Sequence, residues 1–175
     1  MAKGNGSLSG SWRRGSLEEA VATVSRVASI IKINGGHASR ESQVPPIEAG
    51  KLPPSIKKFA EKNGLHLESD KLYITTKGIE HSLRESKTAK GIAVTKEELV
   101  DFVRNRDKMA QYYDPRKGDF IFATDKAKFV VTPNYEIKIN KQKTKVANYI
   151  TATRINPQNI DEFQKMIKIR DEKQR

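Results

Sequence analysis

A histidine followed by three cations is the feature of the sequence best suited to chemistry. His81 precedes Arg84, Lys87 and Lys90. Imidazole is the side chain whose unperturbed pKa lets it act as acid or base near neutral pH. Neighbouring cations favour its neutral form and also bind phosphate. On a helix His81 and Arg84 face the same side. This pattern predicts a base that draws a proton from a ribose 2′-hydroxyl, and an ordinary surface histidine is the competing interpretation.

A polar segment near residue 150 offers the groups that such a base needs. Metal-independent cleavage of RNA also requires a cation for the charge of the transition state and a donor for the leaving oxygen. Segment 148–154 supplies hydroxyls and a cation. On a regular strand Tyr149, Thr151 and Thr153 share one face, and Arg154 lies on the other. Thr151 and Arg154 therefore reach one site only if a bulge or the strand end redirects the arginine.

The composition favours a polyanionic partner. The 175 residues carry a formal net charge of +12, and a field of that sign attracts RNA, DNA or an anionic membrane surface. There is no cysteine, which excludes disulfides, thiolate zinc sites and cysteine nucleophiles. His37, His66 and His81 are too scattered for a metal cluster. No apolar run approaches the ~20 residues that span a bilayer.

Several common chemistries have no motif in this chain. There is no Walker loop, dinucleotide fingerprint, H-E-x-x-H sequence or serine elbow. The acidic pairs Glu18-Glu19 and Glu97-Glu98 fit helix starts better than a magnesium site. We therefore expect neither a cofactor nor a metal.

The first half of the chain reads as helices and a small hairpin. Residues 1–15 are Gly/Ser-rich and basic and predict a flexible tail. Ser16 and Glu19 form a capping box that opens a helix to about residue 32. Residues 36–53 predict a proline-rich linker, Pro54 begins a short helix, and residues 65–68 and 71–75 predict a hairpin.

Two further helices are expected before the sheet. Ile79 and Leu83 share a face of a helix over residues 76–86. Thr95 and Glu98 form a second capping box, and the apolar stripe after it extends the helix to Tyr113. Asp114-Pro115 then ends that helix.

Alternation of apolar and polar residues predicts the sheet itself. Four strands, at 119–123, 128–132, 135–140 and 145–154, are expected to form an antiparallel meander with turns between them. A short charged helix then closes the chain. The predicted fold class is α+β, with N-terminal helices and a hairpin packed on the meander. The predicted organisation is one domain over 16–170, with a helical part at 16–70, a core at 71–155 and a charged tail at 171–175.

The order of these motifs resembles a known nuclease superfamily. Segments Leu-Tyr-Ile-Thr at 72–75, Ile-Glu-His-Ser-Leu-Arg at 79–84 and Tyr-Ile-Thr-Ala-Thr-Arg at 149–154 resemble the barnase–EndoU–colicin–RelE-like superfamily. Within it, the chain looks most like the toxin domains of phage head-morphogenesis and polymorphic-toxin proteins. The resemblance covers about residues 72–154.

The resemblance implies a function and roles. It implies metal-independent endoribonuclease activity, often on tRNA. By carry-over His81 is the base, Arg84 binds phosphate, and Thr151 and Arg154 stabilise the transition state. We expect Lys87, Lys90, Lys128 and Tyr149 to bind the nucleic acid. Expected partners are RNA and an acidic immunity protein or a phage assembly partner. The expected site of action is the cytoplasm, reached from another cell or from a phage particle.

Two other classes of function fit the same sequence. The first is a non-enzymatic nucleic-acid-binding or phage structural protein, which the basic termini and Trp12-Arg13-Arg14 favour. It predicts binding that weakens steeply with salt, without cleavage. The second is a partner-binding protein whose charge serves solubility, and it predicts no affinity for RNA at low salt.

Overall fold

Seven strands form one sheet in the computed structural model, which describes residues 14–173. The strands are β1 (Ile47–Lys51), β2 (Lys71–Ile74), β3 (Ala110–Asp114), β4 (Asp119–Ala123), β5 (Ala127–Ile139), β6 (Gln142–Arg154) and β7 (Ile167–Arg170). The α-helices of the described residues are α1 (Arg14–Ile33), α2 (Pro54–Lys62), α3 (Thr76–Leu83), α4 (Glu85–Ala89) and α5 (Lys96–Asn105). Short 3₁₀ turns occupy Arg40–Ser42, Arg106–Lys108 and Ile160–Lys165. The predicted α+β class is confirmed.

The strand order is β1-β2-β6-β5-β4-β3-β7. Every neighbouring pair is antiparallel except β2 and β6, which run parallel. Strands β3 to β6 follow one another directly along the chain. The parallel pair adds β1 and β2 on one side, and β7 returns to the far edge. One sheet therefore joins the two predicted parts of the chain.

Helices α1, α3 and α5 pack on one face of the sheet. Val24, Val27 and Ile31 recur at helical spacing on α1 and are fully buried. The Phe102 ring of α5 stacks on Phe129 of β5, with ring centroids 5.0 Å apart. Burial of side chains of this size contributes about 1.5–3 kcal/mol each. We call the opposite side of the sheet the outer face.

The two predicted capping boxes had different outcomes. At the start of α5 the Thr95 hydroxyl accepts from the Glu98 amide at 3.1 Å, and the Glu98 carboxylate accepts from the Thr95 amide at 2.8 Å. This box is confirmed. Helix α1 already begins at Arg14, so Ser16 lies inside the helix and that predicted start was wrong.

The predicted linker at 36–53 contains strand β1. Ile47 and Ala49 are buried, and β1 pairs with β2. The predicted hairpin was also wrong, because residues 65–68 are not a strand. They are held instead by the side chain of Asn134, which accepts from the Glu68 amide at 2.8 Å and donates to the His66 carbonyl at 2.7 Å. Strand β1 and residues 65–68 are both held by residues that are distant in sequence. For this reason the local sequence pattern gave the wrong structure for both segments.

The helix opened by Thr95 ends at Asn105, eight residues before its predicted end. The next residue, Arg106, is buried, and its guanidinium donates to the carbonyls of Val103, Ala49 and Lys51. The chain then becomes β3 instead of a further helical turn. Asp114-Pro115 consequently ends a strand.

Two of the predicted strands are one. Residues 128–132 and 135–139 both lie in β5, where Pro133-Asn134 forms a bulge instead of a turn. Asn134 has φ 55, and the register with β6 shifts between Thr132 and Tyr135. The predicted break between the strands at 135–140 and 145–154 is present but shorter, because Asn140, at φ 51, and Lys141, at φ 68, form a two-residue turn and β6 already begins at Gln142.

The expected C-terminal helix is not present. Residues 160–165 form a 3₁₀ turn, and β7 then pairs with β3. The sequence Ile-Lys-Ile-Arg of β7 alternates with the period of a strand. Among the helices of residues 14–173, none is long and apolar enough to cross a membrane.

Candidate functional site

The position of His81 is fixed by the contact of α3 with β6. The Thr75 hydroxyl caps α3 by accepting from the Gly78 amide at 3.2 Å. Gly78 lies so close to the sheet that a Cβ atom there would come within 2.7 Å of the Tyr149 carbonyl oxygen. One turn later the Ser82 hydroxyl is hydrogen-bonded to the Tyr149 hydroxyl. The helix that carries His81 is therefore held firmly against strand β6.

The helix predicted over 76–86 is interrupted at Arg84. Arg84 is extended, with φ −60 and ψ 152, and separates α3 from α4. The break redirects the chain, so that α4 brings Lys87 to the outer face of β6. The sequence placed His81 and Arg84 on one helix, with Lys87 directly after it, and it could not reveal this change of direction.

Lys87 is the centre of the site. Its ammonium group donates to the Thr151 hydroxyl at 2.6 Å, the Ala152 carbonyl at 2.8 Å and the Thr153 hydroxyl at 3.1 Å. Burial and, to a smaller extent, the charges of Arg84 and Lys128 together lower the pKa of Lys87 to about 8. We call Arg84, Lys87, Lys128, Thr151 and Thr153 the Lys87 cluster.

The cluster is short of negative charge. Among the salt bridges of residues 14–173 none involves Lys87 or Arg84, whereas Lys128 contacts Glu162 at 3.2 Å. Only 13% of the Lys128 side chain is exposed. Three cations therefore share one carboxylate in a partly buried place, where charges are poorly screened. Such an arrangement favours an anionic ligand.

The two threonines can donate to that ligand. A hydroxyl carries one hydrogen and two lone pairs, and each of Thr151 and Thr153 accepts from Lys87 with its oxygen. Neither hydroxyl donates to another group within residues 14–173, so both hydrogens can be offered to a ligand, and the ammonium group polarises both hydroxyls. The cluster thus combines cations with two hydroxyl donors on adjacent positions of one strand face.

His81 is half-buried near this cluster. Desolvation lowers the pKa of His81, and the charges of Arg84, Lys77 and Lys87 lower it further against the opposing charge of Glu80. The imidazole is consequently neutral at physiological pH. A neutral ring can accept a proton, which is the state that a general base requires.

A bulge in β6 decides which residues face the cluster. Val130 pairs with Thr151 and Val131 pairs with Tyr149, so Ile150 has no partner on β5. The extra residue places Tyr149 on the helix side with Ala152, and Thr151 and Thr153 on the outer face. The predicted grouping of Tyr149 with the two threonines was therefore wrong, because regular alternation fails at a bulge.

The structure separates three predicted site residues from the cluster. Tyr149 is 1% exposed, so it packs in the core and cannot stack on a base. The Arg154 guanidinium donates to the Glu98 carboxylate at 2.8 Å and to the Ala93 carbonyl at 3.3 Å, at the start of α5. Lys90 is exposed at the end of α4. Only His81, Arg84, Lys87, Lys128 and Thr151 share one neighbourhood.

The sequence reasoning missed a row of polar residues across the outer face. The Tyr73 hydroxyl donates to Glu48 at 3.2 Å, and the Thr132 hydroxyl donates to Asp119 at 2.7 Å. Asn148 is paired in register with both Tyr73 and Thr132, and its buried side-chain oxygen has no hydrogen-bond partner among residues 14–173. Burial raises the pKa of Asp119. A scattered set from five strands leaves no local signal in the sequence.

Neither a search for metal-binding groups nor a comparison with known proteins assigns a function to the site. Within residues 14–173, no group of three or more His, Cys, Asp or Glu side chains is placed to hold a metal ion. Comparison of the chain with protein-family models, curated proteins and solved structures found no match. The geometry of the Lys87 cluster and the charge of the chain are therefore the features that indicate a function.

Proposed function

We propose that the Lys87 cluster binds a phosphodiester of RNA and that the protein cleaves it as a metal-independent endoribonuclease. The observation that carries the proposal is the set of three clustered cations, Arg84, Lys87 and Lys128, with two hydroxyls held by Lys87. A phosphate supplies the negative charge that the cluster lacks, and its oxygens accept from the hydroxyls.

The proposed chemistry assigns one role to each group. Neutral His81 takes the proton of the ribose 2′-hydroxyl, and the 2′-oxygen attacks the phosphorus while the bond to the 5′-oxygen breaks. The 5′-oxygen leaves with a proton from solvent water, and the products are a 2′,3′-cyclic phosphate and a 5′-hydroxyl end. Arg84 binds the non-bridging oxygens, and the Thr151 and Thr153 hydroxyls donate to the charge that develops on them. Lys87 holds both hydroxyls and strengthens their donation. Arg154 takes no part, because it is bound to Glu98.

The choice of RNA follows from the nucleophile in this scheme. DNA has no 2′-hydroxyl for His81 to deprotonate. The resemblance to the barnase–EndoU–colicin–RelE-like superfamily supports the same choice. It also supports a toxin role in the cytoplasm with an acidic immunity protein or a phage assembly partner, and the charge of +12 suits such a partner.

The test is incubation of the purified chain with total tRNA and, separately, with DNA, both with chelator present. We expect discrete RNA fragments and intact DNA. His81→Ala should lower the cleavage rate by about 10²–10⁴-fold, the usual contribution of a general base. His66→Ala is the matched control, since His66 is exposed and contacts only Glu68 among the charged side chains of the described chain. Equal rates for His81→Ala and the wild type would contradict the assigned base.

A second variant tests the hydroxyl donors. Thr151→Val keeps the branched shape and removes the hydroxyl, and we expect a rate loss of about tenfold or more at a temperature where the variant remains folded. The melting temperature should fall slightly, because Lys87 loses one of its acceptors. Thr144→Val, farther along the same strand, is its control. A Thr151→Val enzyme with the full rate would remove the hydroxyls from the mechanism.

Binding without cleavage is the alternative function. All three hydrogens of the Lys87 ammonium group are used within the protein, and Arg154 is paired with Glu98. Both observations suit an anion-binding surface that has no catalytic role. Intact tRNA whose gel mobility shifts, with strong dependence on salt, would favour this alternative.

A further inference from the structure

Strands β5 and β6 extend beyond the rest of the sheet as a two-stranded ribbon. Their pairing continues from Tyr135–Val146 to Ile139–Gln142. Strand β4 pairs with β5 only as far as Val131, and β2 pairs with β6 only from Ala147. Residues 136–145 are all exposed or half-buried. We call residues 135–146 the ribbon.

The ribbon has one charged face. Glu136, Lys138, Lys143 and Lys145 are all exposed, and pairing places Glu136 opposite Lys145 and Lys138 opposite Lys143. The alternate positions, which include Tyr135 and Ile137, point to the other side. With Lys141 at the tip, the twelve residues hold four lysines and one glutamate, a net charge of +3.

Two features of this face oppose stability. Lys138 and Lys143 are directly opposite each other, and like charges in that position destabilise a strand pair. Lys141 has φ 68 in a two-residue turn whose second position favours glycine. The only carboxylate near any of these lysines in the described residues is Glu136, 3.9 Å from Lys143, and both side chains are more than half exposed. Such a contact stabilises little. A bound polyanion would relieve the repulsion.

We propose that the ribbon is a second nucleic-acid contact, which binds the phosphate backbone of a double-helical RNA stem next to the bound strand. The proposal rests on the proposed function only for the choice of RNA. No aromatic residue lies on the lysine face, and proteins that bind single strands use aromatic stacking. A face of lysines alone suits phosphates, which a helix presents at regular spacing.

The geometry also favours a stem over a single strand. The lysine face continues the helix side of the sheet, whereas the Lys87 cluster lies on the outer face. A single strand held at the cluster would have to pass around the edge of the sheet to reach the lysine face. The wide, shallow minor groove of an RNA helix is accessible to proteins and has phosphates along both of its sides, where lysines on two neighbouring strands can contact them.

Fluorescence anisotropy tests the proposal with a labelled RNA hairpin, a single-stranded RNA of equal length and a DNA hairpin. All proteins carry His81→Ala so that no substrate is consumed. Binding is measured across a range of salt concentrations for Lys138→Gln/Lys143→Gln. The control is Lys58→Gln/Lys62→Gln, which removes the same charge from exposed positions of α2. Because cleavage is not measured, failure of the nuclease proposal does not affect the result.

We expect the ribbon variant to bind the RNA hairpin about tenfold more weakly, with a salt slope smaller by about 2, one for each lysine. The control and the single strand should change less than about twofold. Lys141→Gly should lower the slope by about 1 and keep or raise the melting temperature, which separates lost charge from a damaged ribbon. Equal losses in the ribbon variant and the control would overturn the proposal, as would a loss confined to the DNA hairpin.

Discussion

Because the ammonium group of Lys87 is half-buried, we predict that the unfolding free energy of the protein depends on pH. This prediction does not depend on the proposed function. The pKa of Lys87 is about 8 in the folded protein, against an ordinary value of 10.5. Between these two values the unfolded chain holds a proton that the native protein has released. Stability therefore rises with pH in this window, because the unfolded state binds more protons. Below about pH 8 both states are protonated, and the desolvated cation weakens the fold.

The perturbation is Lys87→Met, which fills a similar volume without the charge. A lysine pKa lowered by this amount increases the unfolding free energy of the wild type by about 1 kcal/mol between about pH 7 and about pH 9. The partly exposed position of the side chain makes this an upper estimate. The assay is urea unfolding of wild type and variant across that range, with the difference in unfolding free energy plotted against pH.

The sign of that plot is the decisive result. The unfolding free energy of the wild type should increase relative to that of Lys87→Met as the pH rises. The control is Lys90→Met, which removes an exposed lysine three residues away, and its difference from the wild type should not change with pH. A flat or falling difference for Lys87→Met would refute the reasoning. It would mean that the contacts with Thr151 and Thr153 do not hold a desolvated cation.

Three further predictions concern other parts of the structure. Gly78→Ala should lower the unfolding free energy by about 1–2 kcal/mol, because its Cβ would meet the backbone of Tyr149 at 2.7 Å and overpacking outweighs the gain in helix propensity; unchanged urea midpoints would contradict this contact. Arg106→Met should lose about 2–4 kcal/mol in the same assay, since it leaves the carbonyls of β1 without their buried donors; a loss under about 1 kcal/mol would show that another group replaces them. The acid limb of the RNA cleavage profile should have its midpoint below the ordinary histidine pKa of about 6.5, because desolvation and neighbouring cations lower the pKa of His81; a midpoint above that value would exclude His81 as the base.

The Lys87 cluster destabilises the fold and at the same time gathers groups that can take part in acid–base chemistry. A lysine with a lowered pKa and a histidine with a lowered pKa lie beside two hydroxyls. Perturbed titratable groups gathered in one place are typical of functional sites. The Lys138–Lys143 pair of the ribbon is a second place where like charges are kept together. Both observations favour a polyanion as the partner of this basic chain.

Local signals in the sequence were sufficient for several elements. The spacing of Val24, Val27 and Ile31 predicts the buried face of α1, and the Thr95 capping box predicts the start of α5. Strand β4 was also predicted at its observed position, and the turn at Asn140-Lys141 lies within the predicted break between the strands at 135–140 and 145–154. In each case the signal lies within one turn of helix or one short run of strand. Chain-local geometry decides these elements before any tertiary contact forms.

The remaining elements depend on partners that are distant in sequence. Strand β1 exists because it pairs with β2, and β7 because it pairs with β3. The helix that opens at Thr95 stops at Asn105, where the buried Arg106 then bonds to β1. Pro133-Asn134 looks like a turn, but it becomes a bulge because β6 continues alongside it. Tertiary pairing overrides local propensity at these positions.

The candidate site likewise depends partly on local sequence and partly on tertiary structure. The sequence by itself determined which residues could do chemistry, since His81, Arg84, Lys87 and Thr151 follow from residue type and basic context. It could not determine which of them meet. Lys87 reaches Thr151 across 64 residues of chain, the break at Arg84 redirects α4, and the bulge at Ile150 places Tyr149 in the core. Only the tertiary structure decides these contacts, because a one-residue bulge or a helix break reverses side-chain direction and is set by packing between segments far apart in sequence.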